Sequence, residues 1–271
     1  MIRSIYQKLK SLPYQAGFGI FSSQLKKNLR LHNSSKNVTR CFILATGPSI
    51  NKMDLSGLEN EFCISVSNFF VHPLFNRIKP QYHIFAGTHP PLTSQQVGSW
   101  WKDATTYLKG NNKTGIFINA RDKKIADEFD VFKEQQGFYY LEGGDYPIDF
   151  SKQLPEIKTV VQIAIYLAIY VGIREIVLLG CDHSWLFHFG QSQHFYAESE
   201  HALVRNNHNE WSVSSDIGDE FRSYAELWDV YRKIRTESQK KGISIYNATP
   251  GSLLDIFPRR DLNEILNVTK N

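Results

Sequence analysis

Residues 159–196 decide the fold and read TVVQIAIYLAIYVGIREIVLLGCDHSWLFHFGQSQHFY. Residues 159–171 are apolar almost throughout, and Gly172 is suited to the left-handed conformation that ends many helices. Residues 175–181 are again apolar, without the alternation of a half-exposed strand, as in parallel strands that are covered on both faces. The stretch therefore predicts a buried helix that leads into a buried parallel strand.

Polar and titratable side chains begin where this predicted strand ends. Asp182 and His183 follow it directly, and His194 and Tyr196 come about a dozen residues later. Open α/β sheets bind ligands at the carboxyl ends of their strands, so we expect the chemistry at this edge. His194 is the preferred general base, because an imidazole can take a proton from an attacking hydroxyl group. Tyr196 could donate a hydrogen bond to a departing phosphate, or could simply pack as an aromatic side chain.

The same residues allow two further interpretations. A carboxylate beside an imidazole, as at Asp182 and His183, can orient the ring or hold a metal ion. The spacing of Asp182, His183 and His194 matches no standard metal-binding signature, so no metal site is predicted. The alternative is that both histidines only form hydrogen bonds with loop backbone.

Short apolar runs alternate with helical patterns along the rest of the chain. Strands are predicted at residues 39–46, 61–67, 81–88, 115–119, 137–142 and 243–246, and further helices at 93–108, 216–241 and 253–266. This alternation is typical of a doubly wound, mostly parallel α/β sheet of the Rossmann-like class. Residues 39–271 are expected to form a single catalytic domain, in which the long polar segment 187–215 is lid-like.

The net charge of +4 is unevenly placed along the chain. The first 38 residues carry seven basic residues and no acidic one, so the remainder is slightly acidic. This basic extension has interleaved apolar residues and could lie on an anionic membrane surface. It could equally be a helical extension packed on its own domain or on a second subunit of a homo-oligomer. The acidic remainder shows no recognisable nucleic-acid-binding motif, so nucleic acid is not expected as a partner.

The hydropathy of the sequence and the positions of its cysteines indicate the cellular compartment of the protein. No apolar signal region is visible near the start, and the longest apolar helix is about 13 residues, short of the ~20 that span a bilayer. Cys41, Cys63 and Cys181 each fall in or beside a predicted strand, as free thiols do in a reducing cytosol. We expect a cytoplasmic protein, peripheral at the inner face of the membrane if the basic extension binds lipid.

Polar residues also follow the other predicted strands. After the first strand, Gly47-Pro48-Ser49 opens a helical segment, where backbone N–H groups can form an anion site suited to a nucleotide; the alternative is a plain strand-to-helix turn. Asn68 follows the second strand, and Gly87 and Thr88 end the third. Arg259 could clamp a phosphate, or could pair on the surface with a nearby aspartate.

Several of these motifs resemble those of the bacterial CMP-sialic acid-dependent sialyltransferases and of the related 6-hydroxymethylpterin diphosphokinase MptE-like family. Residues 45–50, ATGPSI, are similar to the Gly-x-Gly-Pro-Ser-Leu signature, and Asn68 matches a nucleotide-contacting asparagine. The shared helix–strand pattern is matched by Thr159, Ala164, Ala168, Gly172, Glu175, Ile176, Leu178, Gly180 and Asp182. Pro250 and residues 252–254 resemble the closing turn, so the resemblance runs in patches from about residue 40 to residue 254.

The chain also departs from the sialyltransferase pattern at three places. Residues 157–161, IKTVV, stand where those enzymes carry an Arg-x-Thr-Ser-Gly-like segment. The paired phosphate-contacting tyrosines of those enzymes have no clear match in residues 183–193. Their general-base histidine would fall in residues 222–225, which contain no histidine. His194 and its neighbours are therefore expected to take over these roles, or the donor sugar differs.

The resemblance implies a modified Rossmann-like, glycosyltransferase-type fold that transfers a sugar from a CMP-activated or other nucleotide donor to a hydroxyl group. The expected acceptor is a surface polysaccharide or a lipid-linked glycan. Asp182 and His183 would shape the donor site, and His194 would deprotonate the acceptor. The nucleotide would be held by Thr46, Gly47, Pro48, Ser49, Asn68, Gly87 and Thr88, and phosphate or substrate by Thr159, Tyr196 and Arg259.

Two other functions stay open at this stage. The MptE-like resemblance implies ATP-dependent diphosphate transfer, which would need Mg²⁺ held by Asp182 and its neighbours. The third interpretation is a non-catalytic, nucleotide-binding subunit of a polysaccharide-assembly complex. Under the leading hypothesis no cofactor is expected.

Overall fold

Seven parallel strands form the single sheet of the described chain. The computed structural model describes residues 14–89, 92–187, 194–196 and 217–267. The strands are β1 (Cys41–Leu44), β2 (Phe62–Val66), β3 (Tyr82–Ile84), β4 (Gly115–Asn119), β5 (Gln136–Tyr140), β6 (Glu175–Leu179) and β7 (Ser244–Asn247). Their order is β5-β4-β3-β2-β1-β6-β7, and every neighbouring pair is parallel.

Helices cover both faces of this sheet. They are α1 (Tyr14–Lys26), α2 (Phe75–Ile78), α3 (Ser94–Leu108), α4 (Lys123–Phe129), α5 (Val160–Tyr170), α6 (Ile217–Lys240) and α7 (Leu262–Asn267). Cys41 and Ile43 of β1 pack in the core layer that contains α5 and α6, whereas Phe42 and Leu44 pack in the layer that contains α3. Successive strand residues thus alternate between two apolar layers, which confirms the doubly wound, Rossmann-like class.

The strand order reverses between β1 and β6. From β1 the chain builds outward to β5, and it then returns to place β6 on the other side of β1. Connections leave this point in opposite directions, and the resulting crevice at the carboxyl ends of the strands is where such sheets bind ligands.

The predicted central helix and strand are confirmed. Residues 161–170 are all buried, and Thr159 and Gln162 form a capping box at the start of α5. Gly172 follows α5 with a φ of +99°, and Asn33 packs so close that a side chain would crowd it. Burying an Ile or Leu contributes about 1.5–3 kcal/mol, so α5 and β6 form a firmly held base for the crevice.

The prediction of a helix over residues 253–266 was wrong for most of its length. Only α7, Leu262–Asn267, is helical. The preceding backbone is held in a loop, because Asn247 of β7 pairs with the loop instead, donating from its N–H to the carbonyl of Pro258 at 2.9 Å.

The start of the described chain packs on its own sheet. Leu25 of α1 is fully buried, and the Asn28 amide donates to the carbonyl groups of Tyr139 (2.6 Å) and Phe150 (2.8 Å). Residues 25–31 therefore join the edge of the sheet at β5, as in the self-packed interpretation. The division of the chain at residue 38 and the membrane contact stay predictions. Residues 188–193 and 197–215 of the expected lid-like segment lie outside the described residues.

Two smaller expectations can also be compared with the structure. The three cysteines are free and buried, as predicted. In the part of the chain that is described, no helix combines the length and the apolar character needed to cross a bilayer.

Candidate functional site

A cavity of about 520 Å³ opens at the carboxyl edge of the sheet, over β1, β2, β3 and β6. Its position coincides with the reversal of strand order. The predicted site residues that line it are Thr46, Gly47, Asn68, Gly87, Thr88, Thr159, Asp182, His183, His194 and Tyr196. The fold thus gathers side chains and backbone from six separate regions of the sequence into one crevice.

Three predicted residues lie outside its lining. Pro48 and Ser49 stand directly behind the wall, in the short 3-10 helix Pro48–Lys52. Arg259 lines another cavity, of about 570 Å³, between α6 and β7. Its guanidinium group donates to the carbonyl oxygens of Thr249, at 3.2 Å, and Ser252. Arg259 thereby stabilises a backbone turn away from the first cavity, and its role as a phosphate clamp stays a prediction.

This second cavity is of similar volume, but the physical case for a reaction site is weaker there. It lies beside β7, at the edge of the sheet, and away from the reversal of strand order. Its wall includes Arg235, whose guanidinium group also donates to a backbone carbonyl, that of Ile256 at 3.4 Å. We therefore place the candidate site at the 520 Å³ cavity.

The turn after β1, at which an anion site is predicted, uses several of its N–H groups within the protein. The Gly47 N–H donates to the carbonyl of Gly180 at 2.9 Å, and the Ile50 N–H to that of Gly47 at 3.2 Å. The Ser49 N–H donates to Asp182 Oδ1 at 3.1 Å, and Pro48 has no N–H to give. These N–H groups are bonded within the protein and a carboxylate lies against the turn, so the turn favours a phosphate less than an open helix N-terminus does; nucleotide binding by Gly47, Pro48 and Ser49 stays a prediction.

Asp182 holds this turn in place. Ser49 Oγ donates to Asp182 Oδ2 at 2.7 Å, beside the backbone bond to Oδ1. A Cβ on Gly47 would lie 1.9 Å from Asp182 Oδ2, so only glycine allows this approach. Burial raises the pKa of Asp182, against the opposing effects of the bonds from Ser49 and the charge of Lys52. Both carboxylate oxygens thus hold the turn, and the catalytic role expected for Asp182 stays a prediction.

His183 is also engaged by the protein. It is 7% exposed, has a φ of +51°, and its Nε2 lies 2.8 Å from the hydroxyl of Tyr231 in α6. Tyr224 of the same helix donates to the His183 carbonyl. Burial lowers the pKa of His183 to about 3, so the ring is neutral at physiological pH. His183 thus connects the end of β6 to α6, and its catalytic role stays a prediction.

These engagements also bear on the Mg²⁺ site of the alternative hypothesis. Asp182 faces Ser49, and His183 faces Tyr231, so the two side chains do not converge on one point. Among the residues that the structure describes, no group of three or more His, Cys, Asp or Glu is arranged to hold a metal ion.

The 194–196 segment reaches the cavity from outside the sheet. The Phe195 N–H donates to the carbonyl of Thr46 at 3.0 Å, and the Asn51 amide donates to the Phe195 carbonyl at 3.0 Å. On either side, His194 and Tyr196 line the cavity. The preferred general base therefore stands next to the end of β1, where the sequence alone could not locate it.

Asn68 is oriented by a residue that sequence reasoning missed. It is 4% exposed and sits in the 3-10 helix Ser67–Val71, directly after β2. The Trp100 indole N–H of α3 donates to Asn68 Oδ1, which fixes the amide so that its NH₂ points away from the indole. Trp100 lies in a correctly predicted helix, but the periodicity of that helix did not show which aromatic ring faces the cavity.

The amino end of α5 forms the opposite wall. Lys158, Thr159, Val160 and Val161 line the cavity there. The first N–H groups of a helix favour anions, and α5 is long enough, at 11 residues, to carry the effect. Lys158 Nζ is paired with Glu226 at 2.5 Å and Glu156 at 3.3 Å, so its charge is largely compensated. His89, which is exposed, is a third imidazole in the cavity lining, and no role was predicted for it from the sequence.

The fold and the cavity define a Rossmann-like α/β protein with a ligand-sized crevice at the reversal of strand order. Searches of protein-family models and of curated proteins find no match. Among solved structures, the chain is similar to the sialyltransferase CstII from Campylobacter jejuni, in complex with a substrate analogue, cytidine-5'-monophosphate. The likeness has 14% sequence identity and a TM-score of 0.45, and covers 83% of this chain and 86% of that chain. A likeness this distant defines no function, and the resemblance to the MptE-like family stays a prediction.

Proposed function

We propose that the protein is a glycosyltransferase that moves a sugar from a nucleotide donor, CMP-activated by preference, to a hydroxyl group of a surface polysaccharide or lipid-linked glycan. The observation that carries the proposal is the 520 Å³ cavity at the carboxyl edge of the sheet, into which the 194–196 segment brings His194. Small-molecule sites typically occupy about 300–1,000 Å³, so the volume suits a nucleotide sugar.

The two walls of the cavity are assigned to different parts of the nucleotide donor. The phosphate is assigned to the amino end of α5, because helix N-termini favour anions and the N–H groups of the turn at Gly47 are bonded within the protein. The Thr159 N–H donates to Gln162 Oε1 at 3.3 Å, so the assignment falls on the N–H groups of Val160 and Val161, beside Thr159. Asn68 and the backbone at Gly87 and Thr88 are assigned to hydrogen bonding with the donor. The Thr88 N–H donates to Asp122 at 2.8 Å, which holds the backbone in place and leaves the Thr88 carbonyl group for the donor.

In the proposed reaction, His194 takes the proton of the acceptor hydroxyl as its oxygen attacks the anomeric carbon of the sugar. The bond between that carbon and the nucleotide phosphate oxygen breaks, and the phosphate leaves with the electron pair. The amino end of α5 and the Tyr196 hydroxyl stabilise the charge that develops on this oxygen. No step of this scheme requires a cofactor.

A thermal-shift panel of CMP, UDP, GDP and ATP, each with and without Mg²⁺, tests the donor. A ligand that binds only the folded protein raises its stability by about 2.7 kcal/mol at 100 times its Kd. We expect CMP to raise the melting temperature without Mg²⁺. A response to ATP that depends on Mg²⁺ would favour diphosphate transfer, CMP binding without sugar transfer would favour a non-catalytic subunit, and no response to any nucleotide would reject a nucleotide site.

The proposed setting is a membrane surface, on which a lipid-linked acceptor would be presented. Lys26 and Lys27, which are exposed, extend the basic character of the preceding residues, and Ile20 (71% exposed) and Leu29 (58% exposed) are exposed apolar side chains in the same region. Cosedimentation with vesicles tests the proposal. We expect binding to vesicles with anionic lipid, none to neutral vesicles, and loss on changing Lys26 and Lys27 together to Glu.

A further inference from the structure

His194 and Tyr196 are held over the cavity as a stacked pair. Their ring centroids lie 4.8 Å apart, and the ring planes differ by 17°. Phe195 stands between them in the chain, so its placement sets where both flanking residues leave the backbone.

The backbone of Phe195 is fixed at both of its polar groups. Its N–H donates to the carbonyl of Thr46, directly beyond β1, and its carbonyl accepts from the Asn51 side chain, both at 3.0 Å. Asn51 belongs to the 3-10 helix Pro48–Lys52, which Asp182 holds through Ser49. The 194–196 segment is thus tied to the turn that Asp182 holds.

The ring of Phe195 packs on the neighbouring element. Its centroid lies 5.9 Å from that of Phe69 and 5.3 Å from that of His72, in tilted and edge-on arrangements, and these two rings are stacked on each other at 5.0 Å. Phe69 is fully buried and follows Asn68 in the 3-10 helix Ser67–Val71. Aromatic pairs in such arrangements favour one relative placement. The Phe195 ring therefore links His194 and Tyr196 to the turn that carries Asn68.

We propose that Phe195 is a positioning residue, whose ring seats against Phe69 and His72 and thereby sets where His194 stands relative to a ligand on Asn68. Its consequence for turnover rests on the proposed function, whereas the seating itself does not. Two measurements separate these parts.

Hydrogen exchange at the amide of residue 195 tests the seating without any substrate. We expect slow exchange in the wild-type protein, an increase of at least 10-fold in Phe195→Ala, and a smaller increase in Phe195→Leu, which keeps apolar contact. Amides of β1 and the melting temperature should change little. Phe187→Ala is the matched control, because Phe187 is 70% exposed and its loss should leave residue 195 unaffected. Equal exchange in Phe195→Ala and the wild type would overturn the proposal.

Steady-state kinetics test the consequence. We expect Phe195→Ala to lower kcat at least 10-fold while the Kd for CMP stays within twofold, and Phe195→Leu to recover part of kcat. Parallel loss of CMP binding and of the melting temperature would mean a purely structural role and would overturn the proposal. If the wild-type protein transfers no sugar, the proposed function fails, and the exchange experiment alone decides whether Phe195 seats the segment.

Discussion

Two pairs of titratable side chains border the same cavity: Asp182 with His183, and His194 with Tyr196. They differ in how the protein holds them in place. Asp182 accepts a hydrogen bond from Ser49, and His183 lies within hydrogen-bond distance of the Tyr231 hydroxyl. The second pair is carried by a residue between them, Phe195, which is bonded through its backbone to Thr46 and Asn51. A titratable residue directly after a buried strand is close enough to neighbouring elements to become part of the fold, whereas a residue on a later segment can be delivered to the ligand.

The largest effect should come from His194→Ala. Loss of a general base typically costs about 10²–10⁴ in rate, so we expect kcat for sugar transfer to fall within this range while the Kd for CMP stays within twofold. Single-turnover kinetics together with calorimetric titration of CMP check both quantities.

His89→Ala is the matched control for this change, because His89 also lines the cavity. We expect it to keep most of the transfer rate. If His89→Ala lost turnover and His194→Ala kept it, the general base would be the wrong imidazole and the contrast between the two pairs would be lost.

Gly47→Ala should give the next largest effect, on stability. The new Cβ would lie 1.9 Å from Asp182 Oδ2 and 2.5 Å from the Gly180 carbonyl, so backbone must move and the Ser49–Asp182 bonds must weaken. We expect the free energy of unfolding to fall by about 3 kcal/mol, at the upper end for overpacking. Urea denaturation measures it.

Gly19→Ala provides the comparison for that experiment. Nothing lies within 4 Å of a Cβ at Gly19, which is in α1. An alanine there should leave stability unchanged or raise it by about 0.5–1 kcal/mol. Equal stability of the two alanine variants would show that Asp182 does not hold the turn as closely as described.

The pH dependence of stability sharpens the contrast at His183. Its folded pKa of about 3 lies below the ordinary value of 6.5, so between these values the unfolded chain binds more protons. Stability is fully present above about pH 6.5 and is lost as the pH falls, by up to about 1.4 kcal/mol per pH unit. His183→Gln should reduce this slope in urea titrations between pH 6.5 and 4.

His83 serves as an internal reference for the same experiment. Burial also lowers its pKa to about 3, and it is present in both proteins, so the difference between them reports His183 alone. His183→Gln should also retain sugar transfer. An unchanged pH slope would show that burial does not hold the pKa of His183 low. A loss of turnover as large as that of His194→Ala would show that His183 takes part in the reaction.

The smallest expected effect is that of Trp100→Phe. The phenyl ring keeps most of the packing against Phe85, whose ring centroid lies 5.1 Å from that of Trp100, but it cannot donate to Asn68. Losing one hydrogen bond of this kind costs about 1 kcal/mol, or about fivefold in Kd. We expect calorimetry to show this weakening for CMP at an unchanged melting temperature. Unaltered affinity would mean that Asn68 needs no partner to bind the donor.

Much of the fold could be predicted from the sequence because its elements are locally distinct. The run before Gly172 and the run after Glu175 have no polar face, so they could only be a buried helix and a buried strand. Residues 253–261 were predicted wrongly, because their loop is held by pairing with Asn247, a long-range contact that helical periodicity does not encode. Strand order likewise depends on pairings between distant residues.

The location of the candidate site could be predicted from the sequence, but not which of its polar side chains are hydrogen-bonded within the protein. The rule that ligands bind at the carboxyl edge brought Thr46, Asn68 and His194 together correctly. The internal partners of Asp182 and Arg259 could not be inferred, because Ser49 lies 133 positions away and Arg259 bonds to backbone carbonyl groups. A polar side chain looks the same in sequence whether it serves a substrate or a turn.

Amide chemical-shift mapping during a titration with CMP tests the central claim most directly, because it locates the nucleotide on the molecule. The account predicts the largest shifts at Thr46, Asn68, Thr88 and Val161, around the 520 Å³ cavity. Shifts confined to the other cavity, along Ser244 to Arg259, or no shifts at all, would contradict it.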